Sequence, residues 1–469
     1  MLKNIYYSFI ITSLFWSRHF LTVGQPHNAF YYSQTLEEFI FVLVLFFMIF
    51  LIISLIFWAA KKFFQKHYKK IVFTTLYISV LPLLDFVFLA LFSHIPIQPG
   101  FTRLIYPFIT FIYVPLVFLI AVKYRIEKYG ERVAVILSFI SILIVFYAIP
   151  RSFGKNVVKN EFISRMKPPI HLIIFDGMSY KVLNDQRSKH LFPNLNEVFA
   201  NDCFVFEDAH SPGSPTIESI PKLLTGLEYD RYREYNLQFL IAQSENKDLV
   251  NLPVESSLFH ISQSYDYNNV LIGSGLPYCN LFGQYLSYGE SFPSYARLSQ
   301  LLPLPLSTLL HVKYRHYRNN FLNSFDKYLS RIDSSPQNTF FFVHFLCPHE
   351  PFVFDSEGVS NRYWEVILKG GAYKYKEKYM EQLIFVDKKV GEIVRRLKDK
   401  NLYDRSLIIL TSDHGYFRDD DDMTKVPLLI KAPFQKSRHV VRQRVNTINL
   451  HKLFSKFLKS NVVDIKELE

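Results

Sequence analysis

Four apolar runs in the first third of the chain, near residues 39–59, 71–93, 104–122 and 133–149, constrain its folding more than any other feature. Each has the length of a bilayer-spanning helix, about 20 residues. A fifth, weaker run covers 4–23 and contains Arg18 and His19. It reads either as a further span or as a signal peptide with Lys3 at its basic end. The connecting loops set the orientation. "KKFFQKHYKK" (61–70) and "KYRIEKYGER" (123–132) are strongly basic, whereas "QPHNAFYYSQTLEE" (25–38) has no Lys or Arg and "SHIPIQPGFTR" (93–103) has one Arg. The excess of basic residues on cytoplasmic loops puts the first two inside and the others outside. Alternation then brings the chain out near Pro150, so that everything from Arg151 onward is expected to be extracytoplasmic. The expected location is a plasma membrane, the inner one in a bacterium.

The charge agrees with this division. Residues 1–170 hold 17 Lys/Arg and 6 Asp/Glu, a net +11, while the remaining 299 residues hold 36 and 35, a net +1. The basicity belongs to the membrane third, not to a folded face that could take nucleic acid. Asp85 lies inside the second strong run. A carboxyl group in hydrocarbon is costly, and it serves either function, such as a lipid head-group contact, or helix packing. Three cysteines, Cys203, Cys279 and Cys347, with no CxxC, form neither a disulfide framework nor a zinc ribbon. They read as buried thiols, with room for one disulfide at most.

Residues 1–150 are therefore expected to form a transmembrane domain of about five helices, 151–168 a polar linker ending in "KPP", and 169–469 a folded domain. In the last part, short apolar runs recur: "IHLIIF" (170–175), "CFVF" (203–206), "NVLIG" (269–273), "TFFFVHFL" (339–346), "SLIIL" (406–410) and "VPLLI" (426–430). Amphipathic stretches separate several of them. The clearest is 373–399, with Tyr379, Leu383, Val386, Val390, Ile393 and Leu397 at spacings of three and four. Strands alternating with helices imply an α/β domain with a largely parallel sheet covered on both faces. The segments 227–265 and 274–337 carry the least pattern.

In such sheets, ligands bind beyond the carboxyl ends of the strands. Asp176 follows the first run, His344 and His349 lie in and after "TFFFVHFL", and Asp413-His414 follow "SLIIL". The sheet would gather these metal-ligating types onto one edge. Asp176, Asp413 and His414 suit a zinc or manganese ion with a fourth position free. Thr216, in "SPGSPTIESIPKLLTG" (211–226), can take that position. Metal coordination turns a weakly acidic hydroxyl into a nucleophile, and a helix start offers N–H groups to an anion. Alone, Thr216 also reads as a helix cap; Ser214 and Ser219 are competing hydroxyls, and Ser214 before Pro215 is itself a candidate cap.

The ordered set of Asp176, "FPNLNEVF" (192–199), the Thr216 segment, "VHFLCPHEPF" (343–352), "LTSDHG" (410–415) and "VPLLIKAP" (426–433) resembles the sulfatase-like branch of the alkaline phosphatase superfamily over about 170–460. Several helices ahead of an extracytoplasmic domain resemble its membrane subgroup of phosphoethanolamine transferases and lipoteichoic acid synthases. The resemblance implies an alkaline-phosphatase-like domain holding one divalent metal ion, zinc before manganese, on Asp176, Thr216, Asp413 and His414. It makes Thr216 the nucleophile and gives His349 a catalytic and phosphoryl-binding role, with His344, inside a strand and also readable as core, the weaker choice for a substrate contact. Lys222 and Arg418 read as surface or structural residues, with a phosphate contact as the alternative. It also implies ping-pong transfer of a phosphoryl-alcohol group from a phospholipid donor, through phospho-threonine, to a glycan or lipid acceptor.

Three departures bear on this. The Cys/Ser-Pro-x-Arg nucleophile motif of true sulfatases is replaced by Thr216-Ile217-Glu218-Ser219, against sulfate ester hydrolysis. Asp176 stands where transferase relatives often have Glu, which leaves hydrolysis by a membrane-anchored phosphodiesterase or phosphatase open. "YFRDDDDMTK" (416–425) lacks the histidine that relatives carry there. Its run Asp419–Asp422 reads as a solvated loop or, alternatively, a calcium site. A membrane scaffold with a degenerate catalytic domain is the reading from outside enzymology.

Overall fold

The computed structural model describes residues 7–9, 11–12, 36–68, 71–72, 75, 157–159, 167–229, 231–235, 238–242, 250–292, 312–359, 372–416 and 422–468. Most of the apolar runs at 4–23 and 71–93, those at 104–122 and 133–149, Asp85, Arg418 and Asp419–Asp421 lie outside these residues. The chain divides into two compact units, Met1–Ala29 with Gln34–Phe153, and Phe30–Ser33 with Gly154–Glu469.

In the first unit, helix α1 (Leu36–Phe63) has 28 residues and contains the run at 39–59. At 1.5 Å per residue it is about 42 Å long. Met48, Leu51, Ile52, Leu55, Ile56 and Trp58 are each more than half exposed, and Lys61 and Lys62 close the last turn. Its side chains are described chiefly over 50–63, and among the fully described residues no helix is long and apolar enough to cross a membrane.

The second unit is built on a nine-stranded sheet. Its strands are β1 (Val157–Val158), β2 (Ile170–Phe175), β3 (Phe204–Phe206), β4 (Asn268–Ser274), β5 (Tyr288–Phe292), β6 (Thr339–Phe345), β7 (Leu407–Thr411), β8 (Leu428–Lys431) and β9 (His439–Val441). They lie in the order β1-β5-β4-β6-β2-β7-β8-β3-β9. The five strands from β5 to β7 in that order are mutually parallel. Antiparallel pairs join β1 to β5, β7 to β8 and β8 to β3, and β9 runs parallel to β3. The domain is thus α/β with a mostly parallel central sheet. Val157 and Val158, from the stretch expected as linker, form its edge strand.

Every residue of β2, β4, β6, β7 and β8 is buried, which explains why these runs are apolar without alternation. Alternate residues feed two cores. On one face, Ile173, Phe175, Val343 and Phe345 meet helix α3 (Val312–Ser334) through Tyr317, Phe321, Phe325 and Tyr328, and helix α4 (Ala372–Asp399) through Tyr379, Leu383, Val386 and Val390. On the other, Leu172, Ile174, Phe340 and Phe342 meet helix α2 (Thr216–Thr225) and helix α5 (Leu450–Ser460) through Ile220, Leu223, Leu453, Phe454 and Phe457. Each such side chain contributes about 1.5–3 kcal/mol by leaving water. Helix α3 occupies the stretch that carried little pattern. Its buried residues Tyr317, Phe321, Phe325, Tyr328 and Ile332 keep helical spacings of four, four, three and four. Cys203, Cys279 and Cys347 are free, buried thiols.

Candidate active site

The parallel register sets the site. Cα pairing puts His344 of β6, Ile174 of β2 and Thr411 of β7 at one level of the sheet. Two residues beyond Ile174 and Thr411 come Asp176 and Asp413. A hydroxyl ties the two strand ends together: Ser412 Oγ accepts from Met178 N at 2.9 Å and lies 2.7 Å from the Phe175 and His414 carbonyls. Gly177 turns the chain with a φ of +68°, a left-handed value that favours glycine. A Cβ there would stand 3.4 Å from the His349 ring and 3.6 Å from that of His414.

Asp413 is fully buried, and its two oxygens have different partners. Oδ1 accepts from Gly177 N at 3.1 Å and His414 N at 2.9 Å. Oδ2 accepts from Thr216 Oγ1 at 2.5 Å. Thr216 is the first residue of α2, and Pro215 holds the cap position without a side-chain cap bond. The threonine hydroxyl is therefore not spent on capping. Ser219, one turn on, donates to the Asp413 carbonyl at 2.6 Å and fixes α2 against the turn.

Two histidines are oriented by backbone carbonyls. His414 Nδ1 lies 2.7 Å from Gly415 O, and His349 Nδ1 lies 2.7 Å from Glu350 O. A carbonyl only accepts, so Nδ1 carries the proton in both and Nε2 is left for a metal ion or substrate. His414 Nε2 stands 3.4 Å from Asp176 Oδ1 and 3.5 Å from Asp413 Oδ2. His349 is half-buried, its ring centroid 5.9 Å from that of His414. Its loop is held through its own carbonyl, which accepts from Gln382 Nε2 at 3.0 Å and Tyr317 Oη at 2.6 Å. His344 is fully buried, with Nδ1 2.7 Å from Tyr278 Oη and Nε2 4.0 Å from Asp413 Oδ2.

The electrostatics describe crowded charge. Burial and the Asp413 carboxylate push Asp176 well up, only partly offset by His414. Burial also acts against ionised Asp413, but His414, His344, the Thr216 hydroxyl and Gly177 N–H outweigh it and hold that carboxyl below its ordinary value. For His414 the two carboxylates outweigh burial and raise the imidazole. Burial lowers His344 to about 4.

These residues fit a divalent ion. Asp176 Oδ1 and His344 Nε2 are buried without a hydrogen-bond partner. Asp176, His349 and His414 offer donor atoms within 4.8 Å of one another, and so do Asp176, His344 and Asp413. The separations of 3.4 and 3.5 Å around His414 match the edge of a tetrahedron with bonds of 2.0–2.2 Å, about 3.3–3.6 Å. Ligand type alone does not separate zinc from manganese.

Asp176, Thr216, His344, His349, Asp413 and His414 thus lie together. Lys222 is buried elsewhere on α2, in contact with Glu218 at 2.9 Å, Glu228 at 3.6 Å, the Pro212 carbonyl and the Tyr229 ring. Asp422 accepts from Thr424 N and Oγ1 within its own loop. Sequence reasoning missed Gln382 and Tyr278. Gln382 is a polar residue on the apolar stripe of α4, beside Leu383 and one turn from Tyr379, and that interruption was the available signal. Nothing local marks Tyr278.

No curated protein sequence matches this one. Among solved structures, the chain is similar to the phosphonate monoester hydrolase of Agrobacterium radiobacter, with 16% identity over 62% of this chain and 74% of that one, at a TM-score of 0.44. It is similar to the phosphonate monoester hydrolase from Silicibacter pomeroyi, with 17% identity over 64% and 73%, at 0.43. It is also similar to a protein in the alkaline phosphatase superfamily from Vibrio parahaemolyticus, with 11% identity over 65% and 69%, at 0.41. The sequence profile described as Sulfatase matches residues 170–459, more than half of the chain, and the chain therefore belongs to the sulfatase family.

Proposed function

We propose that this protein is a membrane-bound, metal-dependent transferase that moves a phosphoryl-alcohol group, of the phosphoethanolamine or glycerophosphate type, from a phospholipid to a surface glycan or lipid. The observation that carries the reading is the Thr216 hydroxyl, 2.5 Å from a buried carboxylate and beside a cluster of metal-ligating groups. The apolar runs and basic loops of residues 1–150 support a catalytic domain outside the membrane that holds the donor lipid.

In this reading Asp176, Thr216, Asp413 and His414 hold the ion, zinc before manganese. Such an ion supplies Lewis acidity that makes a hydroxyl nucleophilic near neutral pH. Thr216 Oγ1 forms a bond to phosphorus as the bond to the diacylglycerol oxygen breaks. The threonine proton passes toward Asp413 Oδ2 and returns to Thr216 when the second step frees its oxygen; His349, entering with a proton on both ring nitrogens, protonates the leaving oxygen from Nε2 and is left neutral. The N–H groups of Thr216 and Ile217, at the start of α2, face the phosphoryl oxygens. In the second step an acceptor hydroxyl gives its proton to His349 and forms the new P–O bond as the bond to Thr216 breaks.

A second reading, hydrolysis of a phosphodiester or phosphomonoester, is favoured by Asp176 in place of Glu; water then replaces the acceptor hydroxyl. Peptide mass spectrometry on protein purified from its own membrane, with metal analysis of the same sample, tests the proposal. A phosphoethanolamine or glycerophosphate adduct on Thr216 with about one metal ion per chain supports transfer. Product analysis with and without an acceptor separates the two readings. An unmodified Thr216 in metal-free protein favours a degenerate scaffold.

A further inference from the structure

We propose that His344 is itself a metal ligand, through Nε2, and not a substrate contact. This inference rests on the metal-dependent reading above. His344 lies within β6, level with Ile174 on one side and Gly273 on the other. It has no exposed surface, and its Nε2 has no hydrogen-bond partner there.

The surroundings are shaped to aim this ring. A Cβ on Gly273 would fall 2.3 Å from the Tyr278 ring. The missing side chain is the space through which Tyr278 crosses the neighbouring strand and reaches His344 Nδ1 at 2.7 Å. That contact directs Nε2 toward the two carboxylates. Tyr278 Oη fixes the ring through Nδ1, the outer contact that a histidine ligand commonly makes. Nε2 and Asp176 Oδ1, the two unpaired buried atoms of the site, belong with Asp413 to one group of donors within 4.8 Å. The 4.0 Å between Nε2 and Asp413 Oδ2 exceeds the tetrahedral edge of about 3.3–3.6 Å, so an ion that took His344 in addition to Asp176, Thr216, Asp413 and His414 would be five-coordinate, with these two donors at a wide angle. A second imidazole also shifts the donor set toward zinc over manganese.

X-ray absorption on the zinc-loaded, detergent-solubilised full chain counts the imidazoles on the metal. The expected count is two in the wild type, two in His349→Gln and one in His344→Gln. One imidazole in the wild type, or loss of the second in His349→Gln, overturns the assignment while leaving the metal-dependent reading intact. Absence of bound zinc overturns both. The wild type and His349→Gln decide the matter even where His344→Gln fails to fold.

Discussion

The hydroxyl of Thr216 and the carboxylate of Asp413 meet at 2.5 Å across 197 positions of sequence. One starts a helix and the other follows a strand, and the Ser219 hydroxyl on the Asp413 carbonyl holds the two elements in place. Removing the hydroxyl leaves that brace intact. Thr216→Ala is therefore expected to lower turnover by at least about a thousandfold with thermal unfolding little changed, and activity assays beside melting curves check both. Turnover within tenfold of wild type would remove Thr216 as the nucleophile.

Gln382 acts at a distance. Its Oε1 accepts from Val353 N and Phe354 N, and its Nε2 donates to the Pro348 and His349 carbonyls. One buried side chain thus fixes the backbone on both sides of the His349 loop. Gln382→Leu strands the Val353 and Phe354 N–H groups and the Pro348 carbonyl, Tyr317 still serving the His349 carbonyl, and is expected to cost about 2–4 kcal/mol of stability. It should also lower kcat about tenfold or more through a displaced His349, with metal content kept. Kinetics and metal analysis on one preparation distinguish this from loss of the metal.

The clustering of Asp176, Asp413 and His414 was legible in the sequence because they follow short apolar strands, and parallel strands deliver their carboxyl ends to one edge. Asp176, Asp413 and His414 needed only that rule, and Thr216 needed the helix after Pro215. What escaped depends on contacts between distant segments. Tyr278 matters because Gly273 leaves it room, and neither residue hints at the other. Lys222 sits one and a half turns after Thr216, where it suggests a phosphate contact, yet Glu218 and Glu228 take up its charge. Helix α3 was not hidden by its contacts: Tyr317, Phe321, Phe325, Tyr328 and Ile332 already stand at helical spacings in the sequence.

His171 gives a pH dependence that originates away from the ligand cluster. It is fully buried in β2, stacked on Phe341 with ring centroids 4.6 Å apart, and its Nδ1 lies 2.9 Å from Tyr328 Oη. Burial pushes the imidazole down to about 3. The unfolded chain binds this proton near pH 6.5, so between about 6.5 and 3 the unfolded state holds more protons than the folded one. Stability from this residue is complete above that window and is lost as pH falls through it, at up to about 1.4 kcal/mol per pH unit. His171→Phe should flatten the fall in unfolding temperature between pH 6 and 4 relative to wild type. Parallel curves for the two proteins would contradict a neutral buried imidazole.

Chelation tests the crowded carboxylates. Asp176 and Asp413 repel each other in a site almost without exposed surface, and a bound divalent ion offsets that repulsion. An ion present at a hundred times its dissociation constant adds about 2.7 kcal/mol to stability. Treatment with a chelator is therefore expected to lower the unfolding temperature and abolish turnover together, and zinc should restore both. Recovery of stability without activity would point to a structural ion.

Tyr278 supplies the last test, because in the proposed ligand set it would touch the ion only through His344. Its hydroxyl lies against His344 Nδ1, while its ring packs on Phe342 with centroids 5.4 Å apart. Tyr278→Phe keeps the ring and removes the hydroxyl. Loss of such an outer partner typically weakens metal binding about 10–100-fold. Zinc affinity should fall by that range, while the imidazole count stays at two and the affinity of the metal-loaded enzyme for its substrate is unchanged. A role for Tyr278 and His344 in holding substrate would give the opposite pattern, with a raised KM and unaltered zinc affinity. The split between metal affinity and KM therefore decides which of the two roles the Tyr278–His344 pair performs.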